Sequence, residues 1–151
     1  MQKIEKVENI EAERLTELTI RSKAYWNYGA EQIEKWRSDL TISPKYIDEN
    51  EVYKLLINDE LIGYYAFIDL GEKTVTLDNI FIDPKYIGKG YGKVLMEDFL
   101  DRIQKIGFKK VILKSDPNAE KFYEKLGFKV VGQSESSIKN RFLPIMELEI
   151  K

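Results

Sequence analysis

The sequence predicts a mixed α/β domain built around one sheet. Two observations carry that reading. The hydrophobic period switches from helical to strand-like near residue 52, then returns to a helical pattern over 91–106. The tail alternates as a half-buried strand does, with Met146, Leu148 and Ile150 set against Glu147, Glu149 and Lys151.

Taken in order, residues 3–7 read as a short first strand. Residues 8–23 are helical, with Leu15 and Leu18 on one face, and Asn27-Tyr28-Gly29 breaks the pattern. A second helix is expected over 30–40, where Ile33 and Trp36 lie on one side. Ser43-Pro44 reads as a loop. Three strands follow over 52–57, 61–68 and 74–82, joined by turns at 58–60 and 70–73 as an antiparallel meander. In the helix over 91–106, Leu95, Met96, Phe99, Leu100, Ile103 and Ile106 form the apolar face. Gly107 closes it. A strand over 109–114 leads to Asp116-Pro117, an N-cap followed by proline at the first helical position. That short helix carries Ala119, Phe122, Tyr123 and Leu126 and stops at Gly127. A strand over 128–131 and the alternating tail complete about seven strands and about four helices.

Composition narrows the chemistry. A chain of 151 residues that is 43% hydrophobic suits a single domain over 1–151 with a real core. It has no cysteine and no histidine, which removes thiol nucleophiles, thiolate metal sites and the usual general base. Acid–base work falls to Asp, Glu, Tyr, Lys or water. A formal charge of −2 disfavours a nucleic-acid partner. The stretch 1–15 has no apolar core of a signal segment, and no run of about 18 apolar residues occurs, so no membrane partner and a soluble, cytoplasmic protein are expected.

Residues 83–94, Asp-Pro-Lys-Tyr-Ile-Gly-Lys-Gly-Tyr-Gly-Lys-Val, are the richest in chemical meaning. Gly88, Gly90 and Gly92 stand between the strand-like run 77–82 and the helix over 91–106. A strand feeding a glycine-rich turn that opens a helix suits a phosphate, because backbone N–H groups and the helix dipole point at it. The spacing excludes a P-loop: Ile87 stands where its first glycine belongs and Val94 where Ser or Thr belongs. It also excludes the dinucleotide fingerprint, since Lys93 falls where the third glycine belongs. The glycines alone leave a ligand-free flexible turn equally open.

A second segment decides between them. Asn118-Ala119-Glu120-Lys121-Phe122-Tyr123-Glu124-Lys125-Leu126-Gly127-Phe128 follows the loop from Ile80 to Gly92. Together the two resemble the GNAT superfamily of N-acetyltransferases, and the expected element order matches that family from end to end. The resemblance implies a central, mostly antiparallel sheet and acetyl-CoA as co-substrate, with no metal. It places the pyrophosphate on the loop of Ile87, Gly88, Lys89, Gly90, Tyr91, Gly92 and Lys93. It places the pantetheine arm along the backbone of Ile80, Phe81 and Ile82, with a further hydrogen bond from Asn118. Ile87 departs from the family pattern, which carries Gln or Arg there; Lys89 and Lys93 offer compensating charge.

The resemblance also implies direct transfer to an amine in a ternary complex. Tyr123 takes the role of general acid; a phenol near pKa 10 lies slightly above a thiol near about 8.5. Periodicity alone would have Tyr123 merely packing beside Phe122 and Leu126. Family members often carry Glu at the position of Thr76, which cannot act as a base. Asp78 lies on the same face of the strand and is the candidate base, with a relay of ordered water as the alternative. For the acceptor, Trp26 and Tyr28 offer an aromatic wall or simply pack, and the segment 136–141 offers a second wall. Arg141 there either binds a carboxylate or pairs with a surface acid. The expected partner is a small-molecule amine, with a protein amine or a catalytically silent acyl-CoA sensor as alternatives, and a homodimer is a permitted assembly.

Overall fold

Helix and strand boundaries follow local chemistry closely in the computed structural model, which describes residues 1–26, 28–136 and 141–150. The strands are β1 (Gln2–Lys6), β2 (Glu51–Ile57), β3 (Glu60–Gly71), β4 (Thr74–Ile82), β5 (Lys110–Lys114), β6 (Lys129–Glu135) and β7 (Phe142–Glu149). The helices are α1 (Ala12–Ala24), α2 (Ala30–Leu40), α3 (Pro44–Glu49), α4 (Tyr91–Ile106) and α5 (Glu120–Lys125). The strands follow one another in the sheet as β1-β2-β3-β4-β5-β7-β6. Neighbours β1–β2, β2–β3, β5–β7 and β6–β7 are antiparallel, whereas β4–β5 is parallel. This is the mixed α/β fold expected, with one helix more.

The extra helix is α3. Ser43-Pro44 reads as a loop in sequence, yet Ser43 is an N-cap whose hydroxyl accepts from the Tyr46 amide at 3.0 Å, with Pro44 in the first turn. With only six residues and one buried side chain, Ile47, the helix is too short to display a period. Other ends differ modestly. A 3-10 turn over Asn9–Glu11 precedes α1, and another over Pro117–Ala119 precedes α5. Strands β3, β6 and β7 outrun their expected bounds. Ile106, expected on the apolar face of α4, is 57% exposed.

The chain forms two compact units, one of residues 1–67 and 79–101, the other of 68–78 and 102–151. In the first, Leu15 and Leu18 of α1 join Ile42, Ile47, Val52, Leu56, Leu61, Tyr64 and Ala66 in one buried cluster, with Tyr46 and Phe81 against it. Tyr53, Tyr65 and Phe67 stack along the sheet, and Phe99 of α4 meets Tyr65 and Phe67 at 5.5 Å. The Tyr65 hydroxyl donates to Asp98 at 2.6 Å and fastens α4. Lys54, buried on β2, pairs with Glu11 and with Glu5 at 3.4 Å, so a charge inside the unit is compensated.

In the second unit, Thr74–Thr76 pairs with Lys110–Ile112 while β7 pairs with both β5 and β6. Val111, Leu113, Phe128 and Met146 are buried here. The expected alternation of the tail survives at Met146, which is fully buried, while Leu148 and Glu147 are both half-buried.

One glycine sets the geometry at the end of β4. A Cβ at Gly63 would lie 2.5 Å from the Phe81 carbonyl oxygen and 2.8 Å from Ile82 Cδ1. Backbone cannot yield as a flexible side chain does. Gly63→Ala is expected to destabilise the protein by about 1–3 kcal/mol, read as a lower urea midpoint with an unchanged slope; a midpoint equal to wild type would refute the close approach.

Candidate active site

The end of β4 leads directly into the glycine loop. The Asp83 amide donates to the Ile62 carbonyl at 2.8 Å, and Asp83 itself is only 4% exposed. Its carboxylate caps the 3-10 turn Pro84–Tyr86, accepting from the Lys85 amide at 3.2 Å, and takes an ion pair from Arg21 of α1 at 2.8 Å. The turn is held further by Glu60, whose carboxylate lies 3.9 Å from Lys85 Nζ. The Tyr86 phenol is pushed up to about 12 by its hydrogen bond to Glu60, then by burial and by the nearby charges of Glu60 and Asp83.

Beyond the turn, Ile87 is extended and its amide is spent on the Pro84 carbonyl at 3.3 Å. Gly88 and Gly90 then adopt φ of +85° and +83°. A Cβ at either would meet no described atom within 4 Å, so conformation rather than space demands glycine. The helix starts at Tyr91, and the Val94 amide donates to the Gly90 carbonyl at 3.2 Å. Helix geometry leaves the first-turn amides of Tyr91, Gly92 and Lys93 without an intrahelical acceptor. Two lysines flank them: Lys89 Nζ lies 5.9 Å from the Tyr86 ring centre, and Lys93 Nζ lies 3.9 Å from Glu97. Tyr86 and Tyr91 meet edge to face at 6.2 Å. The arrangement sets first-turn backbone donors beside two lysines, suited to an anion.

The strand that precedes the loop alternates. Val75 and Leu77 are buried and Asp78 is exposed. Phe81 turns toward Tyr64, ring centres 6.0 Å apart, and Asn79 Nδ2 donates to the Tyr46 hydroxyl at 3.1 Å. Ile80 and Ile82 are half-buried. The ladder from β4 to β5 ends with Thr76 against Ile112, although β4 continues to Ile82.

The second expected group sits on and before α5. Asp116 caps the Pro117–Ala119 turn by accepting from the Asn118 amide at 2.9 Å. The Ser115 amide donates to Pro144 of β7 at 2.8 Å, which fixes the turn against that strand. Tyr123 is 6% exposed and lies between Phe122 and Phe128, ring centres 5.3 and 5.6 Å away, both edge to face. Burial, reinforced by the Asp116 charge, pushes its phenol well above the ordinary tyrosine range. The phenol therefore stays protonated to a higher pH than an exposed tyrosine. Asn118 itself is exposed.

The acceptor-side expectations fare differently. Trp26 is 44% exposed and tilts against Tyr25 at 5.2 Å. Tyr28 instead packs edge-on to Trp36 at 4.7 Å, with Lys23 Nζ 5.2 Å and 5.1 Å from the two ring centres. Trp26 and Tyr28 thus have separate ring partners. Arg141 donates to Asp116 at 3.3 Å, the pairing with a surface acid that its position left open. Residues 137–140 of the segment expected as a second wall, and Asn27, lie outside the described residues. Among the described residues, no group of three or more Asp or Glu could hold a metal ion, and no helix is long and apolar enough to cross a membrane.

The pairs Arg21–Asp83, Tyr65–Asp98 and Tyr46–Asn79 are among the interactions that local sequence does not mark. Asp83-Pro84 carries the same cap signature as Asp116-Pro117 and would have exposed the first turn.

Known proteins bear on this geometry. A family model described as an acetyltransferase (GNAT) domain matches residues 25–150. The peptidyl-lysine N-acetyltransferase YjaB of Escherichia coli (strain K12) is 30% identical over 121 residues, 80% of this chain and 74% of that protein. The uncharacterized N-acetyltransferase YvbK of Bacillus subtilis (strain 168) is 28% identical over 92 residues, 59% of each chain. YjaB of Salmonella typhimurium is 36% identical over 90 residues, 60% of this chain. The matched stretch spans 59% and 57% of the length of the Bacillus and Salmonella relatives. In fold, the chain is similar to the PaiA N-acetyltransferase of Thermoplasma acidophilum, crystallised with coenzyme A, at a TM-score of 0.82 and 23% identity over 99% of both chains. The model match runs through α2, the glycine loop, α5 and the last strand, and this chain belongs to the GNAT acetyltransferase family.

Proposed function

We propose that the protein transfers an acetyl group from acetyl-CoA directly to an amine, with a small-molecule amine as acceptor. The observation that carries the reading is the glycine loop, where Gly88 and Gly90 hold positive φ and deliver the chain into the first turn of α4. The amides from Gly88 to Lys93, with the side chains of Lys89 and Lys93, suit a pyrophosphate. Acetyl-CoA supplies the activated acyl group and the thiolate that leaves.

The chain's own residues then manage orientation and protons. Backbone from Ile80 to Ile82 offers hydrogen bonds to an extended pantetheine arm and polarises the thioester carbonyl. As the new C–N bond forms and the C–S bond breaks, the amine loses one proton and the sulfur gains one. Tyr123 donates the second, consistent with a phenol kept protonated by burial. The first goes to Asp78, exposed on β4, or to water. Asn118 is assigned to the CoA arm. A protein lysine is the second reading of the acceptor, favoured by the peptidyl-lysine activity named for the relatives from Escherichia coli and Salmonella.

Acetyl-CoA consumption measured over a panel of small amines, with lysine peptides in parallel, tests the reading. Turnover on either arm assigns the acceptor class, and CoA binding without turnover on any acceptor would make the protein a sensor. Gly90→Ala imposes left-handed strain of about 1–2 kcal/mol without a clash. CoA affinity by calorimetry is expected to drop about tenfold while the fold persists; undiminished affinity would remove the loop from the site. Tyr123→Phe is expected to lower kcat at least about tenfold with CoA affinity kept, and an unchanged single-turnover rate would end the acid role.

The same variant reports on burial. The folded phenol has the higher pKa, so its stabilising contribution is complete below the unfolded value near about 10 and is lost as pH rises toward the folded value. Wild type should lose stability above about pH 10 more steeply than Tyr123→Phe. Parallel curves would show that the phenol is hydrated.

A further inference from the structure

We propose that Arg21 is a positioning residue for the glycine loop, acting through Asp83, and that it makes coenzyme binding depend on helix α1. The inference rests on the reading of the loop as the CoA pyrophosphate site. Asp83 is the last residue fixed by the sheet, through its amide to Ile62 at 2.8 Å. Its side chain is 6% exposed and divides two bonds between different elements: Oδ1 takes the Lys85 amide of the following turn, and Oδ2 takes Arg21 Nη2 of α1. A carboxylate buried to this degree is stable as an anion only when its charge is compensated. Of these partners, Arg21 supplies the charge and Lys85 supplies the local turn.

The mechanical consequence follows from the chain order. Four residues separate Asp83 from Gly88, and three of them form the 3-10 turn that Asp83 caps. Beyond it the backbone depends on two glycines at positive φ, which do not hold a conformation by themselves. The direction in which Gly88 leaves the turn therefore depends on the Asp83 cap, whose carboxylate Arg21 holds through Oδ2, alongside the tie of Lys85 and Tyr86 to Glu60. Arg21 lies near the end of α1, one turn before Tyr25, where the exposed pair Tyr25–Trp26 begins. Helix α1 thus touches the loop at Arg21 and, within the same turn, the aromatic end that was expected to face the acceptor.

Arg21→Gln, Arg21→Lys, Asp83→Asn and the double variant Arg21→Gln/Asp83→Asn form the test, each in the full chain. CoA affinity by calorimetry and steady-state constants are the readouts. Arg21→Gln is expected to weaken CoA about tenfold, with kcat at saturating acetyl-CoA within about twofold of wild type and the loss confined to KM. Arg21→Lys should recover part of the affinity, since it restores the charge. The double variant should lose less than the two single losses combined, because the pair is broken by either one. A purely structural role would lower the melting temperature and leave CoA affinity below that temperature unchanged; that result, or additive losses in the double variant, would overturn the proposal. If Arg21→Gln does not fold, Arg21→Lys and Asp83→Asn against the same readouts still decide it. Failure of wild type itself to bind CoA would instead reject the loop assignment.

Discussion

The geometry of the glycine loop hangs on where β4 ends. The backbones of β3 and β4 come so close at Gly63 that no side chain fits between them, and the Asp83 amide then closes on Ile62. The strand end is thus fixed by backbone alone. From that fixed point the chain makes a capped 3-10 turn, tied at Lys85 and Tyr86 to Glu60. Backbone hydrogen bonds therefore run up to Ile87, and the positive-φ positions follow at Gly88 and Gly90. A loop whose amides must converge on a ligand benefits from this arrangement, because only a short segment needs ordering when the ligand arrives.

The second unit repeats the device. Asp116-Pro117 caps the turn before α5 as Asp83-Pro84 caps the turn before the loop, and each carboxylate also accepts an arginine, Arg141 in one case and Arg21 in the other. The turn before Tyr123 is thereby fixed, while Phe122 and Phe128 bury its ring. In a chain without histidine or cysteine, that burial has a chemical consequence. Burial keeps the phenol protonated to a higher pH than an exposed tyrosine. In the proposed reaction that leaves Tyr123 as the proton donor, with Asp78 or water as the acceptor.

Sequence carried the periodic elements and lost the tertiary ties. The helices over 30–40 and 91–106 and the strand over 74–82 match their observed bounds, because each has a long period and a sharp punctuating residue. Three Xaa-Pro pairs share one grammar, Ser43-Pro44, Asp83-Pro84 and Asp116-Pro117, and all three are caps. Only the last reads as one in advance, since a recognisable helix pattern follows it. Arg21 and Asp83 are 62 residues apart, and nothing local to either marks the pairing. Asp98 falls on the polar face of α4 by its spacing, yet it is the acceptor for Tyr65. Trp26 and Tyr28, neighbours in sequence, diverge to Tyr25 and Trp36, because adjacency along a chain leaving a helix says little about which ring each will meet.

Ile87 is where the loop departs from the pattern that the family resemblance implies. Its amide is already committed to Pro84, so the position contributes no backbone donor to a ligand. An anion there would draw on the amides from Gly88 onward. The charge pattern of α4 points the same way. Its first turn holds no acidic residue and includes Lys93, the reverse of what stabilises an isolated helix start. A lysine at that place opposes the positive end of the helix dipole, offset in part by Glu97 at 3.9 Å. Lys89, exposed over Tyr86, adds a second positive charge just before the helix. A helix start that carries positive side chains where negative ones would stabilise it gives up some intrinsic stability, and a bound pyrophosphate is the kind of group that would restore it.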